Sequence, residues 1–142
     1  MEAVAIKRSI WINAPRERVW QAISVPEQIA AWFAPGTTFK QENNVISILM
    51  GDQYVEVAWV EVVEPPRQFT TRNMPDKNIV TTYLLEEENG GTRFTVIESG
   101  LESLPEEDRA KHLEQDSAGW ELALANLNAY IEGKPLVKPE GF

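Results

Sequence analysis

The sequence contains no cysteine and a single histidine, His112, so several kinds of site are excluded at the outset. Without cysteine the chain cannot form disulfides, use a thiolate nucleophile or bind zinc through sulfur. A metal site with three protein ligands would need carboxylates alone or carboxylates with His112, and we therefore expect no metal and no cofactor. His112 lies among charged residues in a helical segment, where a solvent-exposed histidine is expected.

Basic residues are also scarce, and long apolar runs are missing. The chain has 13 basic and 22 acidic residues, for a net charge of -9, which disfavours nucleic acid and anionic membranes as partners. No apolar stretch approaches the roughly 18 residues of a membrane-spanning helix, and the first residues do not follow the pattern of a secretory signal. We therefore expect a cytoplasmic protein without membrane attachment, whose oligomeric state the sequence leaves open.

The residues that are present fit one folded domain. Apolar residues make up 43% of the 142 positions and charged residues 25%, both near the averages for globular proteins. A chain of this length buries roughly two-thirds of the surface that its unfolded form exposes. We expect a single domain over residues 1–142, in which residues 134–142 form an extended tail because Pro135 and Pro139 follow Gly133.

The clearest periodicity lies near the C-terminus. Trp120, Leu124, Leu127 and Ile131 recur at spacings of four, three and four residues, which places them on one stripe of a helix. A helix with one apolar stripe must bury that stripe against another layer of the fold. Because the preceding residues read as strands, we expect this layer to be a sheet.

Two further predictions concern this helix. The segment Ser103–Glu106 has the spacing of a capping box, which predicts that the helix begins at Leu104. If it continued to Glu132 it would be about 43 Å long, at 1.5 Å per residue. Residues 116–119 are its weakest helix formers, and we predict a break or a kink there.

Most of the remaining sequence predicts strands. Residues 4–13 suit a first strand, and two short helices follow it, one after Asn13-Ala14-Pro15 and one from Pro26. Turn signals then recur at short intervals and separate six runs, which we expect to pair as an antiparallel meander. These runs are residues 38–41, 45–50, 54–64, 68–73, 79–87 and 92–99. Between residues 54 and 64 both alternating sets of positions are apolar, so the inward-facing set stays undetermined.

The order of these elements is the helix-grip arrangement, and short motifs carry a closer resemblance. They are Ile12–Ile23 with Pro26-Glu27 and Trp32, Glu64–Arg67, Gly90–Val96 with Glu98-Ser99-Gly100, and Gly119-Trp120 with Leu124, Leu127 and Tyr130. In this order they resemble the heat-shock protein 90 ATPase activator homologue-like family over nearly the whole chain. The resemblance implies the START or birch-pollen-allergen-like (SRPBCC) superfamily, with its α+β helix-grip fold, its small hydrophobic ligands and, through the chaperone, the stress response.

A curved antiparallel sheet closed by a long helix is a container, so the candidate ligand-binding residues are side chains that could line its cavity. They are Trp32, Phe33, Phe39, Tyr54, Trp59, Arg72, Tyr83, Phe94, Glu98, Trp120, Leu124 and Leu127. Core packing is the alternative for each aromatic residue. Glu98 shares the alternation of Phe94 and Val96; if it faces inward, burial favours its neutral form, and the alternative is a solvated carboxylate at the rim.

Three functions stay open. The first is binding of a small hydrophobic molecule between the sheet and the C-terminal helix, gated by residues 32–37, with no catalytic residue. The second is a co-chaperone-like module that stimulates a chaperone ATPase through its surface. The third is a cyclase-like or hydrolase-like enzyme that uses cavity carboxylates such as Glu98 together with Tyr83.

Overall fold

The computed structural model describes residues 4–139 and has the expected α+β helix-grip fold. The strands are β1 (Ala5–Ile12), β2 (Phe39–Glu42), β3 (Val45–Met50), β4 (Gln53–Glu64), β5 (Gln68–Asn73), β6 (Val80–Glu88) and β7 (Gly91–Ser99). The helices are α1 (Arg16–Ser24), α2 (Pro26–Phe33) and α3 (Glu106–Ile131), and a 3-10 turn covers Leu101–Ser103. The strands form one antiparallel sheet in the order β1-β7-β6-β5-β4-β3-β2. The predicted meander and its two preceding helices are therefore confirmed.

The predicted start of α3 is wrong. The helix begins at Glu106, and the residue that caps it is Pro105, whose side chain makes no capping hydrogen bond. Ser103 instead donates its hydroxyl to the carbonyl oxygen of Gly100 at 2.6 Å and stabilises the preceding 3-10 turn. The oxygen of the same hydroxyl accepts from Nδ2 of Asn78 at 3.0 Å and not from an amide of α3.

Of the break or kink predicted in α3, the break is also wrong, because the helix runs through all 26 residues without interruption. Asp116 and His112 lie one turn apart, and Oδ2 of Asp116 is 2.6 Å from Nε2 of His112. This contact between side chains four residues apart offsets the weak helix propensity of the stretch. The buried residues of the helix all lie in its second half, from Ala123 to Ala129. The first half is mostly exposed, so the sheet does not have to cover the full length of the helix.

The core lies between the inner face of the sheet and the three helices. Phe94 of β7 and Leu85 of β6 are directly opposite each other in register, and both are fully buried. Trp32 packs from α2 and donates its indole N–H to the carbonyl oxygen of Ala22 in α1 at 2.8 Å. Fully burying a large apolar side chain contributes about 1.5–3 kcal/mol, so these residues fix α1 and α2 on the sheet.

The segment after α3 is held against the helix by one buried side chain. Asn126 is fully buried; it donates to the carbonyl oxygen of Lys138 at 3.0 Å and accepts from the amide of Lys138 at 2.9 Å. Leu136 packs against the core. Residues 134–139 of the predicted tail thus return along α3 without forming a helix or strand, and residues 140–142 lie outside the described part of the chain. Within residues 4–139, no helix has both the length and the apolar character needed to cross a membrane.

Replacing Asn126 with alanine should release this segment. Asn126→Ala removes both hydrogen bonds to the half-buried backbone of Lys138, and we expect it to lower the free energy of unfolding by about 2 kcal/mol. Urea denaturation followed by circular dichroism measures the change. The matched control is Gln21→Ala at an exposed position of α1, which should cost less than about 0.5 kcal/mol. Equal stability of the two variants would contradict the role of Asn126.

Candidate functional site

Two clefts lie side by side where α2 and α3 approach the inner face of the sheet. The polar cleft has a volume of about 200 Å³, and its lining includes Phe33, Glu98, Gln115, Asp116, Gly119, Trp120 and Ala123. The apolar cleft has a volume of about 120 Å³, and its lining includes Ile23, Ile29, Trp32, Phe33, Phe39, Ile46, Phe69 and Tyr83. Phe33 at the end of α2 borders both clefts, so its ring stands between them.

Strand register explains why a carboxyl group lies in this region. Successive residues of a strand face opposite sides of the sheet, so Phe94, Val96 and Glu98 of β7 share one face. Phe94 and Val96 are fully buried, and Glu98 is only 7% exposed. Glu98 therefore points toward α3 rather than toward solvent.

Glu98 meets α3 through three side chains. Trp120 donates its indole N–H to Oε2 of Glu98 at 3.0 Å. The other oxygen, Oε1, is buried, has no hydrogen-bond partner among residues 4–139 and lies 3.5 Å from Nε2 of His112. The same nitrogen of His112 is 2.6 Å from Oδ2 of Asp116. We refer to Glu98, His112 and Asp116 together as the Glu98 cluster.

The environment of Glu98 favours its protonated form. Burial, and next the adjoining carboxyl group of Asp116, raise the pKa of Glu98 from 4.5 to about 8, although the hydrogen bond from Trp120 acts in the opposite direction. Burial, and next the proximity of Glu98, also raise the pKa of Tyr83 above its ordinary value. Near neutral pH the site therefore presents a neutral carboxyl group that can donate a hydrogen bond or a proton to a bound molecule.

Nine of the predicted site residues lie in or directly under these clefts. Phe33, Glu98 and Trp120 line the polar cleft, and the apolar cleft is lined by Trp32, Phe33, Phe39 and Tyr83. Phe94, Leu124 and Leu127 are buried in the core that the clefts border.

The other three predicted residues, Tyr54, Trp59 and Arg72, lie on the opposite face of the sheet and not in either cleft. Trp59 pairs with Arg72 in register, and this pair alternates with Ala58 and Thr71, which line the apolar cleft. On the outer face each of the three residues contacts a charged side chain. Arg72 bonds Glu61 at 2.8 Å, and the Nζ atoms of Lys77 and Lys40 lie 4.2 and 4.1 Å from the ring centroids of Trp59 and Tyr54.

Sequence reasoning missed two members of the Glu98 cluster. His112 was expected to be an ordinary surface histidine, and Asp116 was treated only as a weak helix former. The signal that identifies them is their spacing, because His112, Asp116 and Trp120 follow one another at intervals of four residues and so share one face of α3. The apolar stripe of α3 starts at Trp120. On the same face, toward the N-terminus of the helix, it is followed by Asp116 and His112, whose side chains can bind a proton or a ligand.

Replacing Glu98 with glutamine should change how stability depends on pH. Since the folded-state pKa of about 8 exceeds the ordinary value of 4.5, the folded protein retains a proton that the unfolded chain loses. The free energy of unfolding of the wild type should therefore fall as pH rises from about 5 to about 8, by roughly 2–4 kcal/mol relative to Glu98→Gln. Urea denaturation with chelator present measures this difference. The control Glu114→Gln, at an exposed position of α3, should follow the wild type, and a Glu98→Gln curve parallel to the wild type would contradict the assignment.

Solved structures with the same fold come from several bacteria. A protein of Bacillus halodurans, BH1534, is 27% identical with a TM-score of 0.71, over 92% of this chain and 99% of that chain. The Aha1 dimer of Colwellia psychrerythraea is 18% identical with a TM-score of 0.72, over 91% and 96% of the two chains. The protein SSP2350 of Staphylococcus saprophyticus is 22% identical with a TM-score of 0.71, over 92% and 94%.

Comparison at the level of sequence gives a family but no individual relative. No curated protein sequence matches this chain significantly. The sequence profile of one family, described as Activator of Hsp90 ATPase homolog 1-like protein, matches residues 13–132, which include the six strands after α2, all three helices and the whole Glu98 cluster. The chain therefore belongs to the Activator of Hsp90 ATPase homolog 1-like family.

Proposed function

We propose that this protein binds a small, mostly hydrophobic molecule that carries one polar group. The observation that supports the proposal is the pair of adjoining clefts, one walled by apolar side chains and the other ending at the buried carboxyl group of Glu98. Ligand pockets in proteins commonly combine apolar walls with a few convergent polar groups. The apolar cleft lies between the sheet and helices α1 and α2, and the polar cleft lies between the sheet and α3, so the proposed ligand extends from one to the other.

The apolar cleft supplies the affinity in this proposal. A ligand that buries about 200 Å² of apolar surface gains about 5 kcal/mol before the entropic cost of binding is subtracted. The polar cleft supplies orientation, because neutral Glu98 can donate a hydrogen bond to a carbonyl, ether or hydroxyl oxygen. Asp116 and the net charge of -9 disfavour an anionic ligand. The proposed ligand class is therefore neutral or cationic.

Phe33 controls how large this ligand can be. Each cleft by itself is smaller than the roughly 300–1,000 Å³ typical of ligand pockets, but the two together reach the lower end of that range. Rotation of the Phe33 ring would join them. The ring lies at the end of α2, three residues before Gly36, whose φ of 86° marks a sharp change in chain direction. We propose that residues 32–37 act as the gate of the site.

Filling the polar cleft tests the proposal. A Cβ atom added at Gly119 would meet no described atom within 4 Å, and Gly119 lies in a helix and lines the polar cleft, so we expect Gly119→Leu to fill the cleft without destabilising the fold. We expect this variant to bind the neutral fluorescent probe N-phenyl-1-naphthylamine at least tenfold more weakly than the wild type. Fluorescence titration of the probe, together with quenching of tryptophan emission, measures binding.

The matched control places the same side chain one residue away. Ala118 is exposed on α3, so Ala118→Leu adds equal apolar surface outside the cleft and should bind the probe like the wild type. Equal probe binding by Gly119→Leu and Ala118→Leu would show that the probe binds elsewhere. No binding of any neutral probe by the wild type would count against the proposed function itself.

Family membership favours a second candidate function, stimulation of a chaperone ATPase, because the matched family is described by that activity. Such a module docks through its surface and does not need the clefts. Purified protein titrated into an Hsp90-type chaperone should then raise the ATPase rate until the two are equimolar, and Gly119→Leu should do so equally well. An unchanged rate over the whole titration would exclude this function.

The third possibility from the sequence, an enzyme of the cyclase or hydrolase type, has one of its requirements met. Glu98 faces inward, has a raised pKa and lies close enough to Tyr83 to influence its ionisation. A proton donor in a desolvated cleft is the group that such a reaction would use. The substrate would occupy the same polar cleft, so Gly119→Leu would abolish this activity too.

A further inference from the structure

We propose that Glu98, His112 and Asp116 form a binding site for a divalent transition-metal ion, with Zn²⁺ as the best match. This inference differs from the sequence-based expectation of no metal. It does not depend on the proposed hydrophobic ligand, because the ion can be measured with no organic molecule present.

The first argument is the convergence of three ligand atoms. One oxygen from each carboxyl group and one nitrogen of His112 all lie within 4.8 Å of one another. Ligand atoms around a tetrahedral zinc ion, at bond lengths of about 2.0–2.2 Å, lie roughly 3.4 Å apart. The distances from Nε2 of His112 to Oδ2 of Asp116 and to Oε1 of Glu98 are 2.6 and 3.5 Å, so only small side-chain movements would admit an ion.

The second argument is the state of Glu98. Its side chain is more than nine-tenths buried, and its Oε1 atom points into the cluster with no hydrogen-bond partner in the described part of the chain. A buried polar atom without a partner is costly, and a bound cation would remove that cost. Its other oxygen accepts the indole N–H of Trp120, as an outer partner that orients a metal-binding carboxylate would do.

The donor set and its surroundings indicate which metal fits. An imidazole nitrogen with carboxylate oxygens suits zinc and its first-row neighbours, whereas magnesium and calcium prefer oxygen donors alone. His112 and Asp116 are one turn apart on α3, a spacing at which two side chains of one helix can bind the same ion. Three protein ligands leave at least one coordination position open, and here that position would face the polar cleft.

Metal titration of the intact chain tests the site. The full chain, with any purification tag removed, is treated with chelator, exchanged into buffer at about pH 7.5 and titrated with Zn²⁺ by calorimetry. We expect one ion per chain, a dissociation constant in the micromolar range or below, and release of protons, because ligands must be deprotonated to bind. Titration with Co²⁺ should give a visible absorption band and quench the fluorescence of Trp120, since its indole is bonded to the ligand Glu98.

Two helix variants decide the outcome. His112 and Asp116 are partly exposed, so His112→Ala and Asp116→Asn should keep the fold, which circular dichroism checks, and each should weaken Zn²⁺ binding at least tenfold. The control Glu114→Gln removes an exposed carboxylate from the same helix and should bind like the wild type. Failure of the wild type to bind Zn²⁺ would overturn the proposal. Equal binding by His112→Ala and the wild type would also overturn it, because the ion would then be bound elsewhere.

These outcomes are separable from those of the proposed function. Zn²⁺ binding without probe binding would support the metal site and remove the hydrophobic ligand. Probe binding without Zn²⁺ binding would leave the cluster as a proton-sharing group beside the cleft, and this proposal would be wrong.

Discussion

The hydrogen bond from Trp120 to Glu98 is the contact on which the site depends. It joins the middle of α3 to the inner face of β7 and gives a buried carboxyl oxygen the partner that it needs. Gly119 and Ala123, which lie on either side of Trp120 along the helix, also line the polar cleft, and their side chains are too small to fill it. The polar cleft is therefore bordered by one large side chain flanked by two small residues.

Tyr83 joins the apolar cleft to Trp120, which lines the polar cleft. Its ring lies 5.2 Å from that of Phe94 and 6.4 Å from that of Phe69, and it meets the indole of Trp120 edge-on at 6.2 Å. It therefore borders the apolar cleft while touching the residue that orients Glu98. Edge-on and tilted aromatic contacts of this kind contribute about 0.5–1.5 kcal/mol each beyond simple burial. A ligand that displaces Tyr83 would thus change the surroundings of both Glu98 and Trp120.

The sequence was sufficient for the architecture because alternation and turn chemistry are local properties. It placed every strand and both short helices, and it put Glu98 in the same alternating set as Phe94. It was insufficient between residues 54 and 64, where both alternating sets are apolar and shifts of register interrupt β4. Tyr54 and Trp59 were assigned to the cavity for that reason, although they face outward. The side of a sheet that such residues face is decided by pairing with distant strands, which no local pattern records.

The continuity of α3 was also beyond local reasoning. Helix propensity predicts a break at residues 116–119, but the contacts of Asp116 with His112 and of Trp120 with Glu98 bridge that stretch from both sides. A helix-propensity scale assigns one value to each residue and does not include contacts between residues. The same contacts build the Glu98 cluster, so they explain both why the helix continues through residues 116–119 and why His112 and Asp116 were missed as members of the cluster.

The division of α3 into an exposed first half and a buried second half has a consequence for how such a protein can diversify. The fold is secured by residues from Ala123 onward, whereas His112 and Asp116 lie on the half that contributes little to the core. Mutational drift at these two positions would change the chemistry at the cleft and leave the scaffold intact. Homologues could therefore acquire different ligands by altering one partly exposed turn, while Glu98 and Trp120 stay fixed beneath it.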